Sequence, residues 1–198
     1  ASLVERGVGE RLAAQGEEKK RIAERAARAI APGFSGSILI DAGTTTAALL
    51  DPLLARIAGG SAQIVTNAVA HAASLAGHDG VSVTVLGGRV RSVTGAAVGI
   101  ETVRDIDRLR PDVAFIGTNG FSADFGLSTP DVDEAAVKNA MVRAARRVVV
   151  LSDSSKFGDE SLTRFAGLDD IDVVVTDAEP PADLAAALDN ADAEVWVA

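Results

Sequence analysis

Short runs that are almost wholly apolar alternate along the chain with longer alanine-rich stretches. The runs fall at 36–41 (GSILID), 63–66 (QIVT), 81–86 (VSVTVL), 112–117 (DVAFIG), 147–152 (RVVVLS), 171–176 (IDVVVT) and 193–197 (AEVWV). Their length and β-branched content predict strands. The intervening stretches 45–58, 67–77, 100–108, 133–146 and 182–190 predict helices. Strands that are apolar on both faces and separated by helices imply a mainly parallel sheet flanked by helices, an α/β architecture of Rossmann-like type. Gly87-Gly88-Arg89-Val90 to Thr94-Gly95-Ala96-Ala97-Val98 reads as a short hairpin flap.

Before the first strand, residues 3–31 predict one long helix or two joined helices. Val8, Leu12, Ile22, Ala26 and Ile30 share a face, with Glu17/Arg21 and Glu24/Arg28 as i,i+4 pairs. Gly16 is a candidate break, and Pro32-Gly33 ends the pattern.

Composition narrows the functional classes. Of 198 residues, 47% are hydrophobic, enough for a core, which sets disorder aside. Cysteine is absent, so no disulfide framework or zinc–thiolate site is expected, and a reducing cytoplasm fits. No apolar run is long enough to span a bilayer and no signal-peptide core is visible, so no membrane association is expected. The opening Ala1-Ser2-Leu3-Val4-Glu5 reads as the interior of a longer chain. Net charge is −9; residues 151–198 hold twelve acidic side chains against Lys156 and Arg164, whereas residues 1–30 are slightly basic. Such a surface repels a phosphate backbone, and 4% aromatics with no tyrosine offer little base stacking. By itself the chain is therefore expected to bind nucleic acid poorly.

In open parallel sheets, ligands bind beyond the carboxyl ends of the strands, so the residues following each run carry the chemistry. Asp41-Ala42-Gly43-Thr44-Thr45-Thr46 follows the first strand and opens a helix. A glycine, three hydroxyls and free N–H groups at a positive helix end make an anion cradle; an Asx-turn with a threonine cap is the plainer alternative. Thr66-Asn67 ends the second strand as a ligand contact or as a helix cap. Gly87-Gly88-Arg89 offers either a forked donor for a phosphate or a hairpin turn with an exposed arginine. Gly117-Thr118-Asn119-Gly120 is a loop that can wall the same crevice. Ser152-Asp153-Ser154-Ser155-Lys156-Phe157-Gly158 brings the lone lysine of an acidic tail, suited to a phosphate and oriented by Asp153, or else a surface lysine in a serine-rich turn. His71 and His78 lack partners at metal-ligand spacing, so neither metal nor cofactor is expected. GxSxG and P-loop patterns are absent. Asp131, Asp133 and Glu134 suit a helix dipole better than acid–base work.

Taken in order, Glu18-Lys19…Ile22-Ala23, Asp41-x-Gly43-Thr44-Thr45-Thr46, Thr66-Asn67, Leu86-Gly87-Gly88, Phe115-Ile116-Gly117…Gly120, Gly126-Leu127-Ser128-Thr129, Ser152-Asp153-Ser154-Ser155-Lys156-Phe157-Gly158 and Val175-Thr176-Asp177 resemble the effector domain of DeoR-family transcriptional repressors. Each motif is modest, but the ordered series, from about 17 to 178, is specific. The resemblance implies a sensor of phosphorylated sugars, sharing its fold with ribose-5-phosphate isomerase. In full-length regulators an N-terminal helix-turn-helix domain contacts DNA. No such segment is visible here, so residues 1–30 are expected to be a helical linker or appendage and 31–198 the effector-binding domain. A homo-oligomer, dimer or tetramer, is expected as well.

The isomerases also have a glycine/hydroxyl cradle and a later Ser-Lys that hold phosphate, matched here by Gly43–Thr46 and Ser155-Lys156. Their chemistry uses an Asp-Gly-Ala-Asp loop and a glutamate. The loop aligns with Gly117-Thr118-Asn119-Gly120, and the glutamate's place falls at or near Lys138. Isomerisation needs a base to move a proton, so the resemblance implies phosphate holding without turnover. Its implied contacts are the cradle and Lys156 for phosphate, and Asp41, Asn67, Arg89 and the 117–120 loop for hydroxyls. A sugar-phosphate isomerase or transferase of the same fold is the alternative.

Overall fold

The computed structural model describes residues 16–198. Val8, Leu12 and the rest of the expected helix before Gly16 lie outside the described residues. Helix α1 spans Gly16–Ala26, is extended by a 3-10 turn at Ala27–Ala29, and buries Ile22, Ala23 and Ala26. On its exposed side Glu17 accepts from Lys20 at 2.8 Å, an i,i+3 partner where Arg21 was expected.

All seven runs read as strands form one sheet. They are β1 (Ser35–Ile40), β2 (Ser61–Thr66), β3 (Val81–Val85), β6 (Val113–Gly117), β9 (Val148–Leu151), β11 (Val173–Thr176) and β12 (Glu194–Val197). Their order is β12-β11-β9-β6-β1-β2-β3, and every pairing is parallel. Parallel strands need crossovers. Helix α2 (Thr44–Ile57) links β1 to β2, α3 (Val69–Leu75) links β2 to β3, and α6 (Ala182–Asn190) links β11 to β12.

Alternation along each strand divides the core between two faces. Ile38, Ile40, Phe115, Val149 and Val173 pack with α1 and α2 through Ile22, Leu49, Leu53 and Ile57. Leu39, Ile116, Val150 and Val174 face the opposite layer, with Met141, Leu184 and Leu188. That layer holds α4 (Ile100–Ile106), α5 (Val132–Ala144) and α6. A hydrocarbon core on both sides explains why the central strands read as unbroken apolar runs.

Two small antiparallel sheets stand apart from the main one. The flap expected after β3 is present as β4 (Arg89–Val90) paired with β5 (Ala97–Val98). A three-stranded sheet of β7 (Gly120–Ser122), β8 (Gly126–Thr129) and β10 (Thr163–Ala166) was not anticipated, since its strands are short and glycine-punctuated. Its β7–β8 hairpin gives the 117–120 segment, read as a loop, a fixed backbone. Gly120 is required there because a Cβ would lie 2.6 Å from the Asp159 carbonyl oxygen and from Ser128 Oγ.

Candidate functional site

The chain reverses direction across the sheet between β1 and β6, neighbours joined by a connection that runs out through β2 and β3 and back. Such a switch point opens a crevice at the carboxyl ends of its two strands. Asp41 follows β1 there and Gly117 ends β6. The two strands are stitched at their ends: Asp41 N donates to the Phe115 carbonyl at 3.0 Å, and Gly117 N donates to Asp41 Oδ2 at 3.2 Å.

Asp41 is 2% exposed and forms an ion pair with Lys138, itself 4% exposed. Lys138 comes from α5 and also donates to the Gly117 carbonyl at 2.8 Å. Burial pushes the Asp41 carboxyl above the usual carboxylate range; Lys138 pulls it back, the nearby Glu134 raises it again, and the Gly117 N–H lowers it. The pair joins residues 97 positions apart at the floor of the crevice.

The cradle rises from this floor. Gly43 is the N-cap of α2 and supplies no side-chain cap. The N–H groups of the first turn, Thr44–Thr46, therefore receive no side-chain cap from the N-cap residue. Thr46 turns its hydroxyl inward, donating to the Asp41 carbonyl at 2.7 Å, and so fixes the loop. Thr44 and Thr45 are 8% and 9% exposed. Asn67 braces the loop from the next strand: its Oδ1 accepts from Ala42 N at 3.0 Å and its Nδ2 donates to the Ala97 carbonyl at 3.2 Å. With both ends used, Asn67 ties cradle to flap. Thr66 is similarly occupied, its hydroxyl accepting from Ala68 N at 3.1 Å.

Further along the same sheet edge, β9 lies two strands from β1, about 10 Å away. Asp153 caps the 3-10 turn Ser154–Lys156 by accepting from Ser155 N at 3.2 Å. Lys156, a third exposed, reaches Ser155 Oγ at 3.1 Å and lies 3.9 Å from Asp153. Ser154 is bound by Asp177 beyond β11. Thr118 and Asn119 bond to the β7–β8 hairpin: the Thr118 hydroxyl donates to the Gly120 carbonyl at 2.7 Å, and Asn119 Oδ1 accepts from Thr129 at 3.0 Å.

On the flap the structure takes the second of the two sequence readings, a hairpin with an exposed arginine. Arg89 is exposed and pairs with Asp133. Arg91, two residues on, is 12% exposed and holds Glu134 at 2.6 Å and Asp131 at 3.2 Å. Asp131 also caps α5, accepting from Glu134 N at 2.9 Å. Arg91 thus latches the flap to the helix that carries Lys138 one turn later. Gly87 and Gly88 serve packing: Thr102 donates to the Gly87 carbonyl at 2.6 Å, and a Cβ on Gly88 would sit 2.2 Å from Thr102 Oγ1.

Sequence reasoning singled out neither Arg91 nor Glu134 for the crevice, and set His71 aside. His71 is 5% exposed and lies against the main chain of Gly43. Burial pushes its imidazole below the ordinary histidine value, and Gly43 partly offsets this. A cleft of about 280 Å³ also opens between α1 and the first turn of α2, lined by Gly16, Lys19, Lys20, Thr44, Ala47 and Ala48. It lies beside the cradle and sets the buried Lys19 close to Thr44. Among the described residues, no group of His, Cys, Asp and Glu has the arrangement to hold a metal ion, and no helix is long and apolar enough to cross a membrane.

Residues 14–178 match the family model described as the DeoR C terminal sensor domain. The chain belongs to this family. It is 39% identical over 162 residues to the "Uncharacterized HTH-type transcriptional regulator FruR" of Bacillus subtilis, covering 82% of this chain and 62% of that protein. It is 34% identical over 172 residues to the "Glycerol-3-phosphate regulon repressor" of Escherichia coli, covering 87% of this chain and 66% of the repressor. The chain thus spans about two thirds or less of the length of these curated relatives. Its fold is shared with ribose 5-phosphate isomerase A from Methanocaldococcus jannaschii, at a TM-score of 0.52 and 18% identity, over 73% of this chain and 55% of the isomerase.

Proposed function

We propose that this sensor domain binds a small phosphorylated sugar or polyol and leaves it chemically unchanged, serving a transcriptional repressor of sugar metabolism whose DNA contacts are made outside residues 1–198. The observation that carries this is the pairing of an uncapped helix N-terminus with two crevice carboxylates, Asp41 and Glu134, that are each held by a cation. The first turn of α2 presents N–H groups with no side chain to satisfy them, in reach of a phosphate. Lys156 is a partly exposed cation on the same sheet edge. A proton-transfer enzyme needs a free base near the carbon it deprotonates. Here Asp41 is clamped by Lys138, and Glu134 by Arg91 and Thr94.

Asp41 and Lys138 on the floor, with Arg91 and Glu134 under the flap, form a polar lining for ligand hydroxyls. Since Arg91 latches the flap to α5, a ligand that displaces or tightens this latch shifts a two-state equilibrium, the element a regulator requires. The names of the two regulators support a signalling role, and that of the Escherichia coli repressor makes glycerol 3-phosphate one probe beside pentose and hexose phosphates. A homo-oligomer fits repressors that read two-fold symmetric sites.

The test is calorimetry of the domain with each phosphorylated compound and its unphosphorylated parent. Binding of phosphorylated forms alone, weakened at least tenfold by Lys156→Ala, is expected. Turnover of ribose 5-phosphate that disappears in Lys138→Ala would replace the sensor by an isomerase of the same fold.

A further inference from the structure

His71 is buried, yet its Nδ1 has no hydrogen-bond partner; the only other such buried side-chain atom among the described residues is the Thr176 hydroxyl. Buried polar atoms are ordinarily paired, so an orphan calls for an explanation. The position of the ring gives this weight. Its hydrogen-bonding neighbour is the main chain of Gly43, the N-cap of the 14-residue helix that forms the cradle. The imidazole therefore lies directly behind the backbone that would hold an anion.

We infer that His71 is the titrating residue of the anion cradle: seating an anion on the first turn of α2 is accompanied by protonation of this imidazole, so that binding takes up a proton. This rests on the anion assignment made under the proposed function. With one ring nitrogen directed at Gly43, Nδ1 is the bare nitrogen of the neutral ring, and a proton there turns an unsatisfied acceptor into a donor. The free domain disfavours that proton because burial opposes the charge. A negative charge seated on the helix turn that Gly43 caps reverses the balance.

Other charges do not account for the ring's behaviour. Helix α3 packs on α2, β2 and β3. Helix α2 carries Asp51 and Arg56, β2 and β3 carry no ionisable side chain, and the turn after α3 carries His78 and Asp79. Asp41, two residues before Gly43, is engaged by Lys138. Burial and Gly43 alone displace the titration of His71, which leaves the imidazole free to respond to a charge arriving at the cradle.

The chain has two histidines, His71 and His78, and the exposed His78 is an internal control. The probe is sulfate, whose charge is constant between pH 5 and 8, so the second ionisation of a phosphate ester does not enter. Nitrogen-15 NMR of the imidazoles is recorded across this range with and without saturating sulfate. Without sulfate, His71 titrates below 6.5; with it, the midpoint rises by about one unit. Sulfate affinity correspondingly rises by up to about tenfold per unit of that shift as pH falls from 8 to 5.5. His71→Gln binds sulfate as weakly at pH 5.5 as at pH 8. Sulfate binding with an unmoved His71 midpoint overturns the histidine's role and leaves the cradle standing. Absence of both sulfate and inorganic phosphate binding at every pH overturns the cradle and the proton linkage together.

Discussion

Lys138→Met leaves the Asp41 carboxylate in the floor of the crevice with the Gly117 N–H as its remaining polar partner. Asp41 is 2% exposed, so the variant keeps a bare buried charge or protonates it. Protonation sets the ceiling on the cost. A carboxyl of ordinary pKa 3.8 held neutral at pH 7 costs about 4 kcal/mol, at about 1.4 kcal/mol per pH unit. That agrees with the roughly 3–5 kcal/mol lost when one partner of a buried pair is removed. At pH 5.5 the same ceiling is about 2 kcal/mol. Urea unfolding at the two pH values therefore finds Lys138→Met destabilised by up to about 4 and up to about 2 kcal/mol respectively, with the larger loss at pH 7. Asp41→Asn in the same background restores most of the loss at pH 7, because the charge that needed a partner is gone. A penalty below about 1 kcal/mol, equal at both pH values, refutes this reasoning, because it means that Asp41 is neutral in the wild-type protein.

Three further outcomes follow from other parts of the site. Arg91→Ala destabilises by about 2–3 kcal/mol because it strands the buried Glu134, whereas Arg89→Ala, at an exposed pair, changes stability by less than about 0.5 kcal/mol; thermal unfolding of both variants checks the contrast. Gly88→Ala, at φ +147° with its Cβ 2.2 Å from Thr102 Oγ1 and 2.7 Å from the Val98 carbonyl oxygen, costs at least about 2 kcal/mol by urea unfolding. The folded-state pKa of His71 lies below its ordinary 6.5, so its contribution is fully present above pH 6.5 and is lost as pH falls through the folded-state value; His71→Gln removes that component, giving a flatter stability profile below pH 6.5.

The main sheet was legible because β1, β6, β9 and β11 are buried on both faces and so lack polar interruption. The edge strand β3, VSVTV, is mostly exposed on alternate positions and was legible through its β-branched residues instead. The β7–β8–β10 sheet was not legible: Gly120–Ser122 is three residues long, and β8 takes its second partner, β10, from more than thirty residues away. Position relative to strand ends pointed to Asp41 and to Gly43–Thr46, which the structure places at the crevice between β1 and β6. Lys138 came into view through the family resemblance, but its bond to Asp41 depends on a contact that no local pattern records. On the flap, Arg89 and Arg91 both lie in a polar turn, and which one is buried depends on the acidic N-terminus of α5. His71 was read by metal-ligand spacing, whereas what distinguishes it is its place behind Gly43.

The most direct test of the central claim is isothermal calorimetry of the domain with a panel of triose, pentose and hexose phosphates, with the recovered ligand analysed after incubation. The expected result is saturable binding of at least one phosphorylated compound, none by its unphosphorylated parent, and recovery of the ligand unchanged. Failure of every phosphorylated compound to bind, or conversion of the bound one, would contradict a sensor built on this cradle.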